Sequence, residues 1–207
     1  MLSEMRPYLE LAVKLGRFQG QLARGSIAQI EIEYSGEAAN LAVAPITVAV
    51  LKGLLEPVSE QVNMVNAPVV AQEHGIKVIA SKASSSADFA SAITTRVKGR
   101  SDRMIVGAIF QDQQPRIVRI DDFMLEAIPE GPTLLILNRD QPGVVGTVGT
   151  ILGDAGLNIS RMQLALHRER SEAAMLVNVT ASPPTEVLVR LREISNVISA
   201  ELLELGE

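Results

Sequence analysis

The sequence predicts an α+β protein in two units, and three observations carry that expectation. Amphipathic helical stretches precede a run of short alternating strands in the first part of the chain. Pro129-Glu130-Gly131-Pro132 then interrupts the pattern. Beyond it the apolar spacing changes between strand and helix periods in the order βαββαβ, the ferredoxin-like split arrangement. That order implies a four-stranded antiparallel sheet with two helices on one face and the other face open. The expected units are residues 1–129 and 133–207.

Each element has its own signal. Over Leu2–Arg24, Leu2, Met5, Leu9, Val13 and Phe18 lie near one helical face, broadened by Leu11, Leu15 and Leu22, and Gly25 stops the helix. Ser26–Tyr34 alternates with a period of two, so it reads as a half-buried strand ended by Ser35-Gly36. Ala44–Val58 is a second helix. A third, short helix opens at Asn66-Ala67-Pro68, with Asn66 as its cap, and closes at Gly75. Ile76–Ala80 is a brief strand, and Lys82–Ala87 is a polar loop. Ser91–Lys98, Arg103–Phe110, Arg116–Ile120 and Phe123–Ile128 form a meander. In the second unit the elements are strand 134–138, helix 142–155, strand 158–167, strand 172–180, helix 184–194 and strand 196–205. Val187, Leu188 and Leu191 form the inner face of the second of these helices.

Composition narrows the function. Hydrophobic residues are 47% of the 207, so each unit can bury a core. A net charge of -5 and 3% aromatics disfavour nucleic acid as a partner. The absence of cysteine excludes disulfides and thiolate chemistry and fits a cytoplasmic protein. His74 and His167 lack metal-ligand spacing, so no metal is expected. No apolar run reaches about 18 residues, so no membrane span is expected. The first residues lack the features of a signal peptide.

The most informative stretch is Leu134–Ser160. Pro142 suits a helix start, Val144, Val145, Val148, Ile151 and Leu152 recur at helical spacing, and Gly156 supplies a left-handed stop. A helix start presents unpaired N–H groups and suits a carboxylate. Gly143 and Gly146 leave the backbone approachable, Asp140 can accept from an ammonium group, and Asn158 offers both a donor and an acceptor. An anion seat, an acid and an amide are what a free amino acid needs. The alternative is that Asp140 or Gln141 caps the helix and Asn158 shapes a turn. Gly143, Gly146, Gly149 and Gly153 are spaced G-x-x-G-x-x-G, not as a dinucleotide loop, and no acid follows about 20 residues later. Gly149 and Gly153 are expected to be close-packing positions.

A second anion site is suggested by Arg96, Lys98, Arg100 and Arg103 on one hairpin, with Arg116 and Arg119 after them. Arg96 and Lys98 share a face, and Arg116, but not Arg119, is placed with them. The alternative is a solvated, edge-protecting face. His167 beside Arg168-Glu169-Arg170 reads as a hairpin tip. Ser84-Ser85-Ser86 has no base near it. No catalytic constellation is found.

Four segments together resemble the regulatory part of long-form D-3-phosphoglycerate dehydrogenase. RPYLELAVKLGRF (Arg6–Phe18) is similar to the helix after that enzyme's nucleotide-binding domain. VNMVNAPVVAQEHGIKV (Val62–Val78), with MIVGAIF (Met104–Phe110) and PRIVRID (Pro115–Asp121), resembles its intervening domain. Asn138–Arg168 resembles its ACT domain. The resemblance implies L-serine as effector, bound where ACT domains self-associate, with Asn138, Asp140, Asn158 and the backbone of Gly143, Val144, Val145 and Gly146 in contact. It implies an anion site in the intervening domain, with Arg116 the clearest match beside Arg96 and Lys98. It also implies partner catalytic domains carrying NAD and the hydride-transfer residues, which this chain starts just past, so the chain alone is not expected to reduce NAD. Some relatives have Arg at the positions of Phe123 and Ile128, and often an Asp where this chain has Thr180-Ala181. Two alternatives follow: an oligomerisation module without effector, or a non-catalytic subunit of a serine dehydratase.

Overall fold

A computed structural model describes residues 2–23, 27–84, 89–100, 102–110 and 112–206. The expected stop at Gly25, the strand start at Ser26, and Ser85, Ser86, Ala87, Ser101 and Gln111 lie outside these residues, as does the side chain of Leu2. The chain is α+β in two compact units, Met1–Asp121 and Asp122–Glu207. Residues 122–131 therefore count with the second unit.

In the first unit, α1 (Leu2–Ala23) and α3 (Val43–Leu55) pack together. Their contact is close because Gly16 on α1 meets Gly53 on α3 and Gly20 meets the backbone of Leu54. A Cβ on Gly16 would lie 2.1 Å from the Val50 carbonyl oxygen, and one on Gly53 would lie 2.1 Å from that of Val13. Leu11, Leu15 and Phe18 of α1 are fully buried, as are Ile30, Ile32 and Tyr34 of β1 (Ile27–Gly36). The alternation read from the sequence thus selects the core face of this strand. Gly36 has φ +62°, and a Cβ there would meet the Ala90 carbonyl oxygen at 1.9 Å, so no side chain fits this turn.

The sheet of this unit runs β2 (Lys77–Ala83), β1, β3 (Ser91–Gly99), β4 (Arg103–Ile109), β5 (Pro115–Ile120). All four expected meander strands are present, ending with β6 (Phe123–Ala127). β1 and β2 are parallel, a pairing with no signal in the sequence of either strand. A parallel neighbour needs a crossover of a dozen or more residues. The segment holding α2 (Glu37–Asn40), α3 and α4 (Ala67–Glu73) supplies it. β2 also runs on through Lys82 and Ala83, where the polar composition predicts a loop. Asn66 sits at the cap position of α4 but does not cap it. Its Oδ1 instead accepts the Asn63 N–H at 2.8 Å.

The second unit contains β7 (Pro132–Arg139), α5 (Val144–Asp154), β8 (Ile159–His167), β9 (Glu172–Val179), α6 (Thr185–Arg192) and β10 (Val197–Glu204). The sheet order is β10-β7-β9-β8, antiparallel throughout. Leu134, Ile136, Met175 and Val177 pack with Val144, Val148, Leu152, Val187 and Leu191 of the two helices. Leu188 is partly buried against the same core.

Four expectations need correcting here. α5 starts at Val144, because Gly143 takes φ +91° at the cap, and Pro142 lies before it. Val145 is 41% exposed, one residue off the stripe of Val144, Val148, Ile151 and Leu152. Gly149 and Gly153 are not close-packed, since nothing lies within 4 Å of a Cβ built on either. The second sheet face is not open along its length: Phe123 and Leu125 of β6 pack on Ala165, Ala174 and Leu137. Gly156 does stop α5 at φ +72°, with its N–H donating to the Gly153 carbonyl and that of Leu157 to the Leu152 carbonyl, each at 2.9 Å.

Candidate functional site

The loop between β7 and α5 displays an exposed acid beside a bare helix start. Asp140 is exposed, and its main-chain N–H donates to the Ser171 carbonyl at 2.8 Å. No side chain caps α5, so neither Asp140 nor Gln141 takes the capping role. The first-turn N–H groups of an α-helix have no intrahelical acceptor. In α5 the first turn is Val144-Val145-Gly146, where Val144 is buried and Val145 and Gly146 face outward. Nothing lies within 4 Å of a Cβ built on Gly143 or Gly146, so an approaching carboxylate meets backbone alone.

Asn138 differs from its neighbours. Its side chain is only 3% exposed, Nδ2 donates to the Arg139 carbonyl at 2.7 Å, and Oδ1 is buried without a partner. Asn158 is exposed, and its carbonyl accepts the Thr180 N–H at 3.1 Å. One chain does not bring Asn158 to Asp140. Asn138 pairs with Ala173 at one end of β9, and Ile159 pairs with Val179 at the other. At about 3.3 Å per residue these ends are roughly 20 Å apart.

In the first unit the basic residues come together more fully than expected. Arg96 pairs with Met104, Arg116 with Ala108 and Arg119 with Val106. Met104, Val106 and Ala108 alternate along β4, so they share one face. The register shift between Val106 and Gly107 brings Arg119 onto that face, correcting its exclusion. Lys98, Arg116 and Arg119 each have an internal acceptor. Lys98 Nζ lies 2.6 Å from Glu31 Oε1. This hydrogen bond, aided by the charges of Lys98 and Arg96, holds the Glu31 carboxyl below the usual carboxylate range despite its desolvation. Arg116 Nη2 bonds Asp112 at 2.8 Å, with its guanidinium 5.9 Å from the Phe110 ring centre. Arg119 Nε donates to the Asp121 carbonyl at 2.7 Å.

Among the described residues no group of His, Cys, Asp and Glu could hold a metal, and no helix is long and apolar enough to cross a membrane. The helix after β7 does not fit a nicotinamide dinucleotide, because β9 lies between β7 and β8 and β8 ends in His167. Neither Ser171, which holds the Asp140 amide, nor the cleft of about 480 Å³ in the first unit stands out in the sequence. That cleft is lined by Glu4, Tyr8, Glu37, Ser91 and Phe110 among others. Its lining comes from separate stretches, so no local motif signals it.

Residues 4–121 match the model of the D-3-phosphoglycerate dehydrogenase intervening domain. The chain belongs to that family. Residues 132–196 match the ACT domain, and β10 completes the ACT sheet beyond the matched span. The chain is therefore a regulatory, ACT-containing region of the D-3-phosphoglycerate dehydrogenase family. It is 36% identical to D-3-phosphoglycerate dehydrogenase of Methanocaldococcus jannaschii, over 99% of this chain and 39% of that protein. It is 32% identical to the Synechocystis enzyme of the same name, over 99% and 38%, and 32% identical to that of Bacillus subtilis, over 98% and 39%. The chain thus spans about two-fifths of the length of these relatives.

Proposed function

We propose that this region senses L-serine for a D-3-phosphoglycerate dehydrogenase and holds its copies together through paired ACT domains. Serine's carboxylate sits on the first turn of α5, its ammonium on Asp140, and Asn158 of a second copy closes over it. The supporting observation is the separation of the two half-sites along the ACT sheet. A two-fold pairing of β8 edges inverts one copy against the other, so the Asn158 end of one meets the Gly143 end of its partner. β8 is an edge strand with Leu164 and Leu166 47% and 51% exposed, an apolar edge that a lone copy leaves uncovered.

The test is complementation. Asp140→Ala and Asn158→Ala homodimers should each lose serine binding in calorimetry. Their mixed dimer should regain one intact seat in two. Serine binding that survives in both single variants refutes the site. The buried, self-bonded Asn138 favours a second reading, an oligomerisation module with an empty ACT site; dimerisation without serine binding would support it.

The face of Arg96, Lys98 and Arg116 is a further proposed seat, for a phosphate or carboxylate. Such an anion must compete with Glu31 and Asp112 for these cations, and Arg96→Ala should remove it in a phosphate titration. Hydride transfer and NAD belong to domains outside this chain, so the chain by itself should not generate NADH from phosphoglycerate.

A further inference from the structure

We propose that the β8–β9 hairpin tip positions Asp140 and carries the state of its loop to the start of β6 through the Arg170–Asp122 ion pair. The ligand in this proposal rests on the serine reading above; the hold on Asp140 does not.

The hold begins at the backbone. The Ser171 carbonyl accepts the Asp140 N–H at 2.8 Å, just past the Arg139–Glu172 ladder pair. Ser171 has φ +51°, a left-handed conformation that a serine adopts only at a cost. Its N–H donates to the Arg168 carbonyl at 3.3 Å, and the Arg170 N–H lies 3.4 Å from His167 Nδ1. The tip is therefore a small strained turn whose carbonyl is aimed at the effector loop.

The other side of the tip is tied to the beginning of the unit. Arg170 Nη2 reaches Asp122 Oδ2 at 2.5 Å, and its Nε lies 3.7 Å from Glu172 Oε2. The His167 ring stands edge-on to Phe123, with centroids 6.1 Å apart and planes at 76°. Phe123 is 5% exposed and packs on Ala165 and Ala174. Asp122 follows Asp121, whose carboxylate accepts the Met104 N–H at 2.9 Å and pairs with Arg103. Each of these adjacent acids is thus anchored within its own unit. A ligand that fixes Asp140 favours one state of Ser171. Arg170 is the next residue, so the same choice is felt at Asp122 and Phe123.

The experiment is amide hydrogen exchange on the full chain, with and without saturating L-serine. Without serine, Arg170→Ala should speed exchange of the Asp140 amide by about fivefold, the most an exposed ion pair allows. Unchanged exchange there overturns the positioning role. With serine, both Asp140–Gly143 and Phe123–Leu125 should slow in the unmodified protein. In Arg170→Ala, Asp140–Gly143 should still respond while Phe123–Leu125 does not. Equal slowing of Phe123–Leu125 in both proteins overturns the transmission. Asp122→Asn must reproduce the Arg170→Ala pattern, and its failure to do so rules out the ion pair as the route. If calorimetry finds no serine binding to the unmodified protein, the effector reading fails, and the serine-free comparison still decides the positioning role.

Discussion

Replacing Gly16 by alanine should loosen the first unit although alanine is the better helix former. The gain in helix propensity is about 1 kcal/mol. Against it stands a Cβ 2.1 Å from the Val50 carbonyl oxygen and 2.7 Å from the Leu54 nitrogen, both backbone atoms that no rotamer change can move. Ordinary contact begins at 3.4 Å, so α1 and α3 must part by about 1 Å. A gap of that size forfeits roughly a quarter to a half of each dispersion contact along the seam. Overpacking of this kind costs about 3 kcal/mol, leaving a net loss near 2 kcal/mol. The chain has two tyrosines, Tyr8 and Tyr34, and no tryptophan, so intrinsic fluorescence reports the first unit alone. Its urea midpoint should fall by roughly 1 M. A midpoint that stays put or rises would refute the close approach of these helices.

Other expectations follow from single observations. Gly149→Ala meets nothing within 4 Å and should stabilise the ACT unit by about 0.5–1 kcal/mol, seen as slower amide exchange in α5. Asn178→Ala removes Nδ2 donations to the Ile128 and Glu130 carbonyls and to Thr133 Oγ1, and should cost about 2–3 kcal/mol in denaturant unfolding followed by circular dichroism. Burial pushes the Tyr34 phenol from 10.0 up to about 12, against the opposing hydrogen bond with Thr47. A raised pKa gives stability that is complete below pH 10 and lost as pH climbs towards 12, at most about 3 kcal/mol. Tyr34→Phe should flatten that alkaline slope in urea midpoints, and an unchanged slope would point to another group.

Local periodicity carried most of the fold. β1 shows its buried face in Ile30, Ile32 and Tyr34, and the order from β7 to β10 follows from apolar spacing and turn residues. Long-range choices were out of its reach. Nothing within Lys77–Ala83 says that the strand runs parallel to β1, and nothing in β5 announces the bulge that turns Arg119 to the basic face. The glycines of α5 looked like packing positions because spacing cannot distinguish a contact from an open surface. Gly16 and Gly20, four apart in an apolar helix, are the sequence signal of close helix approach. Asp140, Gly143 and Asn158 fall in one short motif, which is why the sequence offers them together as a candidate set. The burial of Asn138 and the grip of Ser171 on Asp140 depend on β9 and the tip before it, about 30 residues later.

A seat divided between the two ends of one edge strand makes sensing depend on abundance. In the arrangement proposed here, a separated copy owns two incomplete halves, so serine strengthens the pair by RT ln(1 + [L]/Kd) for each filled seat. The apparent midpoint for serine should then fall as the amount of this chain rises, and dilution alone should blunt the response at fixed serine.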